Sequence, residues 1–183
     1  MRDAGRWKTW LTLIGAAALA AAVAALPDVG WPHDLPGSVP VVFPDPVLTP
    51  GAAAPVTEKV VCRPGYAKAR RRVSEATKRE VFAAYGIPYD RRAEYEVDHL
   101  IPLELGGAND ARNLWPQSYS QKLGARQKDR AENWLRREVC AGRVPLEQAQ
   151  RRMARNWYSV YLECCVPGGK PADAPANPGF SAH

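Results

Sequence analysis

The apolar positions of this chain change rhythm along its length. Residues 10–26, WLTLIGAAALAAAVAAL, form an apolar run of 17 residues dominated by alanine. That length is at the lower edge of what spans a bilayer core. Residues 27–57 show no period and hold eight of the 17 prolines (Pro27, Pro32, Pro36, Pro40, Pro44, Pro46, Pro50 and Pro55). Proline at this density favours extended polyproline conformations and disfavours helices and sheet interiors, so 27–57 reads as a linker.

Periodic patterning begins near residue 58. VVCRPGY at 60–66 reads as a short extended segment ended by Pro64-Gly65. Ser74 is placed to cap a helix through about Tyr85, with Val73, Val81, Phe82 and Tyr85 on its apolar face and Gly86 as its stop. Residues 95–101 alternate, with Tyr95, Val97 and His99 on one face and Glu96, Asp98 and Leu100 on the other, which predicts a strand. Gly106-Gly107 and Asn109-Asp110 predict a wide turn, and Asn113-Leu114-Trp115 a returning strand closed by Pro116.

A helix is expected from about Ser120 to Cys140, although Leu123, Gln127, Arg130, Trp134 and Val139 make no clean stripe. Another starts at Pro145 and runs to about Glu163, with Ala149, Met153, Trp157, Val160 and Tyr161 on its apolar face. Residues 166–183 return to proline, glycine and alanine and read as a disordered tail. The order helix, hairpin, helix, helix predicts an α+β domain over 58–165. A lone two-stranded hairpin is not stable in water, so it must lie on the helix that follows it.

Charge sharpens the picture. The formal net charge is +6, with 25 Lys and Arg against 19 Asp and Glu. From Lys59 to Cys165 there are 21 basic and 13 acidic residues, a net of +8, so the positive charge belongs to the domain. Most of it is arginine, whose planar fork suits phosphate. Such a domain fits nucleic acid, or acidic polymers of a cell envelope. At the N-terminus, Arg2, Arg6 and Lys8 precede the apolar run, and Ala22-Val23-Ala24 offers a small-residue cleavage site. Residues 1–26 therefore read as a signal peptide or a retained N-terminal membrane anchor, engaging the export machinery. The product would be periplasmic, secreted, or anchored to the outer face of the cytoplasmic membrane.

Export permits disulfides. A Cys62–Cys140 bridge would close a long loop and contribute about 4 kcal/mol on the loop-entropy scale. The adjacent Cys164 and Cys165 are expected not to pair with each other, leaving them free or bridging two chains. No Cys-x-x-Cys occurs and no histidine lies near a cysteine in sequence, which argues against a structural zinc site.

Of the three histidines, only His99 lies within the patterned region. Asp98-His99, then Gly106-Gly107, then Asn113-Leu114 resemble the His-Asn-His (HNH) endonucleases. More narrowly, CRPGY at 62–66, DHLIPLELGG, NLWPQ, KDRAEN and VCAGRVPLEQAQ resemble an exported bacterial subgroup of HNH-type proteins, over most of residues 45–163. The resemblance implies a ββα-metal fold, a hairpin and one helix around a single divalent ion. It implies hydrolysis of phosphodiester bonds, with DNA ahead of RNA as substrate and little sequence specificity. His99 would be the general base, Asp98 a metal ligand, and Asn113 would orient the imidazole. The ion would be magnesium, with manganese and zinc as alternatives. Arg70, Arg71, Arg72, Arg112, Arg126, Lys128 and Arg130 are the candidate nucleic-acid contacts.

One feature departs from that family. Its second helix-borne ligand, a His or Asn, has no counterpart here; Gln121-Lys122 stand at the usual spacing, and no histidine follows His99 before His183. Asp129 and Glu132, three apart on one helix face, are the substitutes the sequence offers. Without them, Asp98 would hold the ion with waters and phosphate oxygens alone, a sparse ligation that magnesium tolerates. A non-catalytic nucleic-acid-binding module and an envelope polyanion-binding protein are the rival readings.

Overall fold

The computed structural model describes residues 43–121, 123–175 and 177. The signal or anchor at 1–26, the first part of the linker, and the chain beyond 177 lie outside the described residues. Among the described residues no helix is long and apolar enough to cross a membrane.

The domain is mixed helix and sheet, as the patterning predicts. In chain order it has α1 (Glu58–Val61), α2 (Tyr66–Arg70), α3 (Glu75–Ala84), β1 (Tyr95–His99), β2 (Leu114–Ser118), α4 (Ala125–Cys140) and α5 (Leu146–Cys165), with short 3₁₀ turns between them. Ser74 caps α3, its hydroxyl accepting from the Thr77 amide at 3.0 Å. Val81 and Phe82 are buried, and Phe82 meets Tyr95 of β1 edge to face at 5.9 Å. That contact seats the hairpin on α3.

β1 and β2 pair antiparallel, from Tyr95 opposite Ser118 to His99 opposite Leu114. β2 runs two residues past Pro116 rather than closing there. The register explains why. Leu100 donates to the Asn113 carbonyl and Tyr119 to the Glu94 carbonyl. Alternation between those two bonds makes Val97–Pro116 a non-hydrogen-bonded pair, so the missing proline N–H costs no ladder bond.

α4 and α5 pack against each other around Leu100, Leu105, Leu135, Met153 and Trp157. Ala149, Met153, Trp157 and Val160 are all fully buried, as their spacing predicts. At Asn156 the backbone leaves helical geometry and α5 kinks.

Four expectations are corrected. VVCRPGY is not extended: Val60 and Val61 are helical in α1 and Tyr66 opens α2. α4 begins at Ala125, not Ser120; the Gln127 side chain accepts from the Gly124 amide and fixes its first turn. The proline-rich linker is packed from Phe43 onward. Thr49 is buried and bonds the Leu114 carbonyl, and Ala53 bridges to Gly107. Spaced prolines exclude helix but not an extended strap against a core. The tail is not free either. Residues 171–173 form a turn against α5, the Asn156 amide donates to the Pro175 carbonyl, and Asn177 to the Arg155 carbonyl.

Cys62 and Cys140 are disulfide-bonded, joining the end of α1 to the end of α4. Cys164 and Cys165 are bonded to each other, against expectation.

Candidate active site

β1 ends at His99, which is half-buried and lines a cleft of about 1090 Å³. Successive strand residues point to opposite faces, and the two faces here meet different partners. Asp98 points to α4. His99 points to the loop after Gly107 and to the turn at 70–72.

The imidazole is held on one side only. Its Nε2 lies 2.7 Å from Asn109 Oδ1. The Asn109 amide is itself fixed, because its N–H₂ donates to the carbonyls of Arg70 at 2.9 Å and Arg72 at 3.1 Å. With both amide protons committed, the oxygen faces the ring. Nε2 therefore carries the proton and Nδ1 is the basic nitrogen of the neutral imidazole. Burial lowers the pKa of His99, against the Asn109 bond and the charge of Asp98, which act to raise it.

Asn113 is buried elsewhere. Its Nδ2 donates to the carbonyls of Ile101 and Ala108, and its Oδ1 accepts from the amides of Ile101 and Ala52. All four bonds go to backbone. Asn113 therefore pins the loop that carries Asn109, and the expected contact with the imidazole is made by Asn109 instead. Gly107 is required by the same closure, since a Cβ there would stand 1.8 Å from the Ile101 carbonyl oxygen. Gly106 has a φ of +81°, a left-handed conformation that suits glycine.

Lys128 is not a surface phosphate contact. It is 1% exposed and lies under the end of β1. Its ammonium is 2.8 Å from Asp98 Oδ2, donates to the His99 carbonyl at 2.5 Å, and pairs with Glu132 one turn along α4. Burial opposes its charge, but Asp98 and Glu132 outweigh that and hold its pKa above the usual lysine value. Glu132 is pushed up to about 7 by burial, against the pull of Lys128.

The carboxylates expected to hold a metal are thus already engaged or dispersed. Asp98 and Glu132 share the Lys128 ammonium. Asp129 lines the cleft, with burial and then the charge of Asp98 raising its pKa. Glu96 and Glu104 line it too, and burial is the main cause of their raised values. Among the described residues no three His, Cys, Asp or Glu side chains are gathered to hold an ion. No ready-made cage of three ligands is present among the described residues, and Asp98, the expected ligand, is ion-paired with Lys128 through Oδ2.

The arginines divide. Arg71 and Arg72 line the cleft, as do Lys78 and Arg92, which sequence reasoning passed over. Arg126 lines a smaller neighbouring pocket of about 390 Å³. The other three candidates are engaged away from the cleft. Arg70 lies over the Tyr66 ring, Arg112 pairs with Asp110, and Arg130 donates to the Cys165 carbonyl. Tyr119, 65% exposed at the cleft edge, was also missed. Lys78 and Arg92 were legible only as ordinary helix and turn surface, and Asn109 only as a turn former.

No family model, curated protein or solved structure matches this chain.

Proposed function

We propose that the chain is an exported endonuclease of HNH type that hydrolyses phosphodiester bonds of nucleic acid, DNA ahead of RNA, with low sequence specificity. The observation that carries this reading is the His99–Asn109 bond. It protonates Nε2 and leaves Nδ1 as the base, in a cleft also lined by Arg71, Arg72, Arg92 and Lys78, the last paired with Glu75.

In this reading a water oxygen bonds to phosphorus as Nδ1 takes the water's proton. The bond from phosphorus to the leaving oxygen breaks, and that oxygen takes a proton from solvent in the open cleft. Arg71 and Arg72 meet the charge that develops on the phosphoryl oxygens. Their turn is joined to His99 through Asn109, so the cationic groups and the base are held as one unit. Neutral His99 is the competent form, and burial favours it. Six carboxylates line the cleft and would repel a polyanion, but Lys128 offsets part of the charge at Asp98 and Glu132, and Lys78 pairs with Glu75. Two disulfides and a hydrophobic N-terminal segment support a location outside the reducing cytoplasm.

A second reading has one observation behind it. The ammonium of Lys128 is buried and ion-paired with both Asp98 and Glu132, as in a polar core, which favours a module that binds nucleic acid without cutting it. Incubating the oxidised full-length chain with end-labelled DNA and RNA distinguishes the two. Shortened DNA fragments are expected; DNA bound yet intact would overturn the nuclease reading.

A further inference from the structure

Lys128 has the burial and the partners of a bound cation. An ammonium has three N–H donors. Here two hydrogen bonds use them, to the His99 carbonyl at the end of β1 and to Glu132 on α4, and Asp98 Oδ2 on β1 adds an ion pair at 2.8 Å. At 1% exposure no water can replace a lost partner. A divalent ion that took Asp98 would stand against this ammonium and strip it of a partner, so the two cations exclude each other.

We propose that Lys128 is the resident cation of the cleft: its ammonium takes the place of a divalent ion between β1 and α4, and cleavage runs without divalent metal. The second half rests on the nuclease reading of the cleft; the first half does not. Lys128 is then a positioning residue. It holds the backbone of His99 from below while Asn109 holds the ring from the side. Phosphate charge falls to the cleft arginines, which a metal-dependent site would need less. The step needs only water and the base, with the proton passing to Nδ1 and the leaving oxygen protonated by solvent.

The test has two arms on the oxidised full-length protein. The first follows manganese(II) binding by electron paramagnetic resonance, for wild type, Asp98→Asn and Lys128→Met. Wild type and Asp98→Asn are expected to leave the free-ion signal equally undiminished. Lys128→Met frees Asp98 and Glu132 and is expected to gain a manganese site, which Lys128→Met with Asp98→Asn loses. A manganese site in wild type that Asp98→Asn abolishes would overturn the proposal. If Lys128→Met does not fold, wild type against Asp98→Asn still decides. The second arm compares plasmid nicking in EDTA and in magnesium. Equal rates are expected, and Lys128→Met is expected to lose on the order of 100-fold through misplacement of the base. Cutting that requires magnesium would overturn metal independence. No cutting in either condition would sink the nuclease reading, while the manganese arm would still judge Lys128.

Discussion

Asn109 accepts from His99 Nε2 at 2.7 Å while giving its own amide protons to the carbonyls of Arg70 and Arg72. One side chain thus sets the tautomer of the imidazole and ties it to the basic turn. Replacing it by alanine should leave the ring free to rotate and lower the cleavage rate by about 10- to 100-fold, with DNA binding weakened less. Asn109→Asp should do something different. A carboxylate at Nε2 favours imidazolium and should raise the His99 pKa. Proton NMR titration reads this directly, because the chain has only three histidines.

The acid limb of activity should report the same residue. Burial lowers the His99 pKa below the usual 6.5. If His99 is the base as proposed, the competent form is the neutral ring, so activity should persist as pH falls through 6.5 and be lost only below it. A pH–rate profile of kcat/KM with its acid limb at or above 6.5 would contradict the role of a half-buried His99 as the base.

Stability should carry a separate signature from Glu132. Its folded value, about 7, lies above the ordinary 4.5. The folded state therefore holds this proton more tightly. The contribution is full below about pH 4.5 and is lost as pH rises through 7. His99, with a lowered value, acts in the opposite sense, so the comparison must be with Glu132→Gln. The stability of wild type relative to that variant should grow as the pH falls from above 7 to below 4.5. At about 1.4 kcal/mol per pKa unit the change is a few kcal/mol at most. Urea unfolding across that range measures it.

The two disulfides should behave unequally. Cys62–Cys140 spans 78 residues, and losing it should cost about 4 kcal/mol. Cys164–Cys165 joins neighbours, closes almost no chain, and should cost little on the same argument. Thermal melts of the two paired Cys→Ser variants test this; equal falls in Tm would contradict it.

Much of the architecture was legible in the sequence where one signal acted alone. Ser74 had nothing to compete with its capping role, and Met153, Trp157 and Val160 kept helical spacing without interruption. The hairpin followed from alternation and paired glycines. The misreadings came where a residue's local character opposed its tertiary use. α4 showed no stripe because its buried positions are Lys128, Ala131, Leu135 and Val139, and a lysine breaks an apolar pattern read by eye. Prolines at 44–55 suggested a linker, yet the strap they stiffen lies along the Gly106–Ala108 turn. Asn113 and Asn109 are the same residue type in the same loop. Only the fold shows that one pins the backbone and the other meets the imidazole.

The central claim is that His99 is the base of a phosphodiesterase. Nicking of supercoiled plasmid by the oxidised full-length chain, beside His99→Ala, tests it most directly. The account predicts nicking by wild type and a loss of about 100-fold or more in the variant, with DNA still retained in a gel shift. Equal nicking by the two proteins would contradict it.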